Sequence, residues 1–328
     1  MKAMVWTQYG PPEVLQLQEV AKPVPKDNEV LIKIHATSVV LGDCELRGLK
    51  LALMYRLAIR LLVGFTKPQR VTILGQELAG EIEAVGGGVR GFKIGDAVFA
   101  TTGLRLGGYA EYTCLPAEGG GIALALKPAN LSFAEAAVVP FGSLEALYFL
   151  QRANLRPGKK ALIIGAGGSI GTYAVQLARL HGAEVTAVDS GGKLEMLRSL
   201  GVTRVIDYTR EDYPADGERY DAIFDVVGKS DYGRCLRALS QGGVYLIGNP
   251  SLSHKLRRRL TPARSGVRVI TETATHKRVD LEHIRELVEA GSIRPVIDRV
   301  FPLEQIVEAH RYVESGQKKG NLVITVVG

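Results

Sequence analysis

Ala161-Leu-Ile-Ile-Gly-Ala-Gly-Gly-Ser-Ile-Gly171 runs from an apolar stretch that reads as a strand into a segment that reads as a helix from Ser169 onward. The loop between them holds Gly165, Gly167, Gly168 and Gly171. A turn this tight lets backbone N–H groups and a positive helix terminus approach a pyrophosphate closely. Glycine patterns alone are weak evidence. This one follows a strand, opens a helix and lies inside a unit of about 30 residues, the setting a dinucleotide site requires. The loop is expected to bind one, with Ser169 and Ile170 at the start of the helix. About 20 residues further on, Asp189 ends the second strand, where a carboxylate accepts the adenosine ribose hydroxyls. Ser190, Lys193 and Tyr208 are placed to hold a 2′-phosphate instead. NAD(H) and NADP(H) both stay open.

Outward from the turn, strand and helix patterns alternate. Strands are expected at 160–165, 184–188, 204–206, 221–226, 244–247 and 267–271, with helices at 169–181, 193–200 and 232–239. This rhythm predicts an α/β fold with a parallel, doubly wound sheet. Ligands bind off the carboxyl ends of such strands, so Val227, Gly228, Gly248 and Asn249 are expected to face the nicotinamide half. Ser132-Phe-Ala-Glu135 reads as a capping box opening a helix. The first 128 residues are β-rich: Val30, Ile32, Ile34 and Ala36 alternate with Leu31, Lys33, His35 and Thr37. Short glycine-punctuated strands follow at 80–86, 95–99 and 108–114, the pattern of a small irregular barrel. Helices at 281–290 and 303–315 and a strand at 322–327 break the alternation again. The expected division is therefore 1–128 with 268–328 as one domain and 129–267 as the dinucleotide-binding domain.

The bulk numbers agree with two domains. The chain has 328 residues, 46% hydrophobic and 23% charged. It begins without signal-peptide anatomy, and no stretch of about 18 uninterrupted apolar residues reads as a membrane span. Three widely spaced cysteines, Cys44, Cys114 and Cys235, suit reduced thiols in a cytoplasm better than a disulfide framework. A net charge of +7 suits anionic ligands such as a phosphorylated cofactor. The basic run Lys255-Leu-Arg-Arg-Arg259, followed by Arg264 and Arg268, has no interleaved aromatics and reads as a solvated helix face, with nucleic-acid binding disfavoured.

Leu74-Gly-Gln-Glu-Leu-Ala-Gly-Glu81, Phe92-Lys-Ile-Gly-Asp96, Gly107-Gly-Tyr-Ala-Glu-Tyr112, the glycine turn and Asp225-Val-Val-Gly228 together resemble the medium-chain dehydrogenase/reductase superfamily, in its zinc-free quinone oxidoreductase branch. The resemblance covers nearly the whole chain. It implies a GroES-like catalytic domain built from both ends, a Rossmann domain between, and a homodimer paired through Rossmann edge strands. Zinc-dependent relatives place metal ligands at positions that here fall on Val40, Gln76 and Phe141, none of which ligates zinc. Their four-cysteine structural-zinc lobe is missing as well. No metal is expected. Without a Lewis acid, reduction of a quinone or an α,β-unsaturated carbonyl is easier than chemistry at a simple alcohol. The nicotinamide would deliver hydride while hydrogen-bond donors stabilise the product oxygen. The alternatives are a zinc-free alcohol dehydrogenase, and a cofactor-binding protein of this fold with an RNA-binding or structural role.

By the same resemblance, Asp43 and Glu45 line the nicotinamide end and are the candidate catalytic residues, Asp43 as one that orders the site and Glu45 as a proton relay or rim carboxylate. Asn321 matches a cofactor contact in the returning segment, and Glu145 stands where relatives carry threonine. Cys44 has no adjacent cation in sequence and reads as a packed residue rather than a reactive thiol. The segment 49–65 is longer than the family's connector and has helical apolar spacing. A lid over the substrate is the preferred reading, ahead of a packed surface helix and a membrane-interface anchor that would favour lipophilic quinones.

Overall fold

The computed structural model describes residues 1–202, 204–215, 217–261 and 266–326, apart from the side chain of Met54. Strands β1 (Lys2–Trp6), β2 (Leu15–Glu19) and β3 (Glu29–Ser38) precede helices α1 (Leu41–Gly48) and α2 (Leu53–Val63). Then come β4 (Glu77–Val85), β5 (Ala97–Thr101), β6 (Tyr112–Pro116), β7 (Leu124–Leu126), α3 (Phe133–Ala136) and α4 (Pro140–Leu150). The alternating stretch is β8 (Lys160–Ile164), α5 (Ser169–Leu180), β9 (Glu184–Asp189), α6 (Leu194–Ser199), β10 (Arg204–Asp207), β11 (Tyr220–Asp225), α7 (Tyr232–Arg237), β12 (Leu239–Ile247), α8 (Leu252–Leu260) and β13 (Arg268–Ile270). The chain closes with α9 (Arg278–Glu289), β14 (Ile297–Pro302), α10 (Ile306–Glu314) and β15 (Asn321–Thr325).

One compact unit takes residues 1–141, 276–291 and the described residues from 295 onward. Its main sheet runs β14-β15-β3-β4-β5-β7, with β6 paired to β3. The ten-residue β3 makes this possible: its first half pairs β6 and its last residues pair β15, both antiparallel. Val30, Ile32 and Ile34 are fully buried beside Leu78, Ile82, Val98 and Leu115, as the apolar alternation requires. A second core gathers Trp6, Val39, Cys44, Leu74, Tyr109, Ile306 and Ile324 from elements far apart in sequence. The returning segment completes this unit because β15 sits between β14 and β3, with Leu322, Val323 and Ile324 buried.

The other unit, 142–275 with 292–294, holds an all-parallel sheet in the order β10-β9-β8-β11-β12-β13. The order reverses between β8 and β11, the switch point where open α/β sheets take ligands. Its central strands are nearly continuous apolar runs, as burial on both faces demands.

Both expected boundaries move. Residues 129–141 belong with the first unit: α3 packs on β3, β4 and β15, and the Phe141 amide donates to Glu77 at 2.8 Å. Residues 268–275 belong with the second, because β13 extends its sheet beside β12. The Ser132 capping box forms as expected, Ser132 Oγ accepting from the Glu135 amide at 3.2 Å, although α3 lasts a single turn. The expected helix 232–239 stops at Arg237, since Leu239 already pairs with Tyr220. Strand β14 was not foreseen; it is a half-exposed edge strand with no clean alternation. The expected extension of the last strand to Val327, and Arg264 of the basic region, lie outside the described residues. Phe133–Leu150 is long and apolar enough to cross a membrane by composition, but 67% of it is buried inside the protein.

Candidate active site

Each glycine of the cofactor turn has its own reason. Gly165 has a φ of +79°, and a Cβ there would come within 2.7 Å of Val227 Cγ2. At Gly171 a Cβ would lie 2.2 Å from the Gly165 carbonyl oxygen, so only glycine lets α5 start this close to β8. At Gly167 it would meet Lys193 Cδ at 2.6 Å. Gly168 differs. Its backbone is extended (φ −92°), and the nearest atom to a Cβ would be the Gly165 oxygen at 3.7 Å, an ordinary contact. The fold does not require glycine at 168, and the space is open. Gly168 caps α5 without a side chain, and the first amides of a helix have no intrahelical acceptor. Half-exposed Ser169 and Ile170 begin that turn. An open cradle at a positive helix terminus fits a dinucleotide's diphosphate.

Asp189 lies beside the turn, buried at the end of β9. Its Oδ2 accepts from the Gly167 amide at 2.8 Å, and its Oδ1 from the Ser190 amide at 2.8 Å. Lys193 Nζ pairs with Oδ1 at 3.0 Å. The lysine expected to hold a 2′-phosphate is thus engaged by the carboxylate expected to accept the ribose hydroxyls. Tyr208 lies alongside, half exposed, its amide donating to the Asp189 carbonyl at 3.3 Å. Sequence reasoning missed Asp207, which ends β10 directly opposite Asp189. Hydrogen bonds from the Thr209 hydroxyl and amide hold its carboxyl below the usual range. The signal was available, since Asp207 follows its strand as Asp189 does.

The carboxyl ends of β11 and β12 come together as expected. A Cβ on Gly228 (φ +70°) would lie 2.3 Å from the Asn249 oxygen, and one on Gly248 would lie 3.1 Å from the Val226 oxygen. Val227 and Asn249 are exposed there. Buried Asp225 ties the loop down, accepting from the amides of Gly228 at 2.8 Å and Ser230 at 3.0 Å and from Tyr245 Oη at 3.3 Å.

In the other unit, the positions of the zinc ligands in related enzymes are joined by two buried carboxyls. Asp43 accepts from the Val40 amide at 3.1 Å, the Gly75 amide at 3.3 Å and Gln76 Nε2 at 3.4 Å. Burial pushes its pKa up to about 6, against those hydrogen bonds and one from Tyr109. Glu77 accepts from Ser38 Oγ and from the Phe141 amide, and burial pushes it up to about 7. Asp43 therefore positions α1 against the loop before β4. Glu45 is half-buried two residues further along α1 and points to a different side of the helix. Among the described residues, no group of three His, Cys, Asp or Glu side chains could hold a metal ion.

The expectation that Cys44 lacks a neighbouring cation is corrected. Arg47 is buried nearby, its Nη1 2.7 Å from His310 Nδ1, and that nitrogen lies 3.2 Å from Cys44 Sγ. Burial outweighs the arginine and pushes the thiol up to about 12, so Cys44 stays protonated and packed. His310 is held well below its usual pKa by burial and by Arg47, so it is neutral; its Nε2 lies 3.2 Å from Tyr109 Oη. No sequence signal joined these residues. Asn321 opens β15, its amide and Nδ2 donating to the Val296 carbonyl at 2.9 and 3.1 Å. Its buried Oδ1 has no hydrogen-bond partner among the described residues, an acceptor that a ligand donor could fill. Glu145 is half-buried in α4.

Residues 26–125 match the alcohol dehydrogenase GroES-like domain family, and residues 200–324 match a family described as zinc-binding dehydrogenase. The latter match begins beyond Val40, Gln76 and Phe141, so its description does not bear on those positions. The chain is 34% identical to the 2-methylene-furan-3-one reductase of Solanum lycopersicum, over 99% of this chain and 79% of that one. It is 31% identical to the chloroplastic NADPH-dependent alkenal/one oxidoreductase of Arabidopsis thaliana, with the same coverage. The structure of the quinone oxidoreductase from Coxiella burnetii superposes with a TM-score of 0.87 at 30% identity, covering 100% of this chain and 99% of that one. The chain therefore belongs to the medium-chain dehydrogenase/reductase superfamily, in its quinone oxidoreductase-like branch, and is an oxidoreductase that works with a nicotinamide cofactor.

Proposed function

We propose that the protein reduces quinones or alkenes conjugated to a carbonyl, using NAD(P)H and no zinc. One observation carries this reading. The side chains of Val40, Gln76 and Phe141 carry no thiolate, imidazole or carboxylate where zinc-dependent relatives carry ligands, and the one polar side chain among them, Gln76, donates its Nε2 to Asp43 at 3.4 Å. When bound, the reduced nicotinamide supplies the hydride. The α5 terminus and Gly168 hold the diphosphate, Asp189 orients the adenosine ribose, and Asp225 keeps the loop at Val227 and Gly228 in shape. Conjugated acceptors suit a site without a Lewis acid, because hydride addition leaves charge spread onto an oxygen that hydrogen-bond donors can stabilise. The alkenal/one and quinone activities named for the relatives support the same substrate class.

The test follows reduced-cofactor absorbance against quinones, enones and simple ketones, with and without a zinc chelator. Chelator-insensitive turnover of quinones or enones is expected. Zinc-dependent turnover of simple alcohols would overturn the proposal. A homodimer belongs to the same proposal: β13 ends the parallel sheet among the described residues, leaving an edge for a second copy. Light scattering should give twice the 35.4 kDa chain mass. The cytoplasmic location expected from sequence also remains part of it, supported by three thiols free of disulfides.

A further inference from the structure

Helix α2 turns an apolar face to solvent. Leu53, Leu57 and Leu61 advance about 40° per four residues around the helix. They are 79%, 54% and 61% exposed; Leu62 is 54% exposed and Phe65, just beyond the helix, 59%. The opposite side packs inward through Ile59 and Val63, against the core that contains Trp6 and Leu74. The C-terminal end is pinned: Tyr9 Oη donates to the Gly64 carbonyl at 2.5 Å, and Arg70 bonds the Leu61 carbonyl. A helix held this firmly while showing four leucines to water has an unspent apolar surface.

Charge says what covers it. From residue 46 to 76 the sequence contains no Asp or Glu; Lys50 pairs with Glu314 at 2.7 Å, and Arg56, Arg60, Lys67 and Arg70 are the further cations of α2 and the segment after it. Arg56, Lys67 and Arg70 are exposed, and Arg60 is half-exposed, lying over the Tyr9 and Phe65 rings at 5.9 and 5.6 Å. Leucines on one face with arginines at its margin match an anionic lipid surface, whose headgroups meet the cations while the acyl boundary takes the leucines. Two copies of α2 meeting symmetrically would oppose the Arg56 and Arg60 of one to those of the other, and Glu314 is already engaged by Lys50 and Arg47. A bound peptide would need flanking walls, and side chains this exposed have little protein beside them.

We propose that α2, with the cationic segment after it, docks the protein on an anionic bilayer surface. The binding is peripheral and independent of the substrate reduced. The test is flotation of the full chain with vesicles of phosphatidylcholine plus phosphatidylglycerol, and of phosphatidylcholine alone. The protein should float with the mixed vesicles at low salt, about tenfold more weakly with the neutral ones. Leu57→Glu with Leu61→Glu should weaken flotation by at least about tenfold, as loss of two buried leucines implies. Circular dichroism melting should show that variant folded, since both positions face solvent. Arg56→Gln with Arg60→Gln should lose the preference for the anionic vesicles. Failure of the native protein to float overturns the proposal, as does undiminished flotation of the leucine variant. A change in that variant's light-scattering mass would assign the face to a second copy. A raised KM for a water-soluble quinone, without flotation of the native protein, would make α2 a lid. Either result also overturns it.

Discussion

Gly168 and Gly171 stand three residues apart and serve different masters. A Cβ at 171 would collide with the Gly165 carbonyl at 2.2 Å, which neither backbone can relieve cheaply. Gly171→Ala should therefore destabilise the protein by about 2 kcal/mol in urea unfolding. At 168 the protein leaves room, and serine is a preferred helix N-cap. Gly168→Ser should keep the melting temperature while raising the cofactor Kd by about tenfold or more, because the added side chain fills the cradle. Equal melting temperatures for both variants would refute this division of labour. The same scale decides cofactor choice. Asp189→Gly removes one negative charge and frees Lys193, now held at 3.0 Å. The NADPH-to-NADH ratio of kcat/KM should rise by about tenfold, the worth of one partly screened charge contact. An unchanged ratio would show that Asp189 does not set the preference.

Between elements, α1 is joined to α10 by Arg47. Its buried guanidinium reaches His310 Nδ1 at 2.7 Å, Glu314 at 2.9 Å and the Gly10 carbonyl at 3.1 Å. Neutral His310 carries the connection on to Tyr109, which hydrogen-bonds Asp43 at the start of α1. Arg47→Met keeps most of the volume but leaves those acceptors short of donors. Lys50 still holds Glu314 at 2.7 Å, so the loss should fall at the low end for a broken buried pair, about 3 kcal/mol by chemical denaturation. A change below measurement error would mean that packing alone joins the two helices.

Over the whole molecule, buried carboxyls leave a signature in the pH dependence of stability. Glu77 ordinarily titrates at 4.5 but is pushed up to about 7 in the folded chain. The folded state thus holds the proton more tightly than the unfolded one. Folding is favoured below about pH 4.5, and that advantage is lost as pH rises through about 7. Asp43 acts in the same direction over a lower window, from 3.8 to about 6. Glu77→Gln cannot ionise, so its melting temperature relative to the native protein should climb as pH rises from about 4.5 to about 7 and level off above. A difference independent of pH would show that Glu77 is ionised in the fold.

The sequence by itself determined what rests on local chemistry. The glycine turn, Asp189 at its strand end, the Ser132 cap and the strand–helix rhythm each lie within a few residues, where periodicity and turn geometry act. Resemblance extended this to both halves of the catalytic unit and to the altered metal positions. The domain boundaries were legible only to within 13 residues at the first and 8 at the second, because packing and sheet pairing rather than rhythm decide them, as α3 and β13 show. The tertiary structure alone decided the rest. Burial raised the pKa of Asp43 and brought out Glu77 beside it. Chain closure brought His310 to Cys44 across 266 residues and left the leucines of α2 in water. Desolvation and long-range pairing depend on what the whole chain packs around a residue, and no local window of sequence contains that.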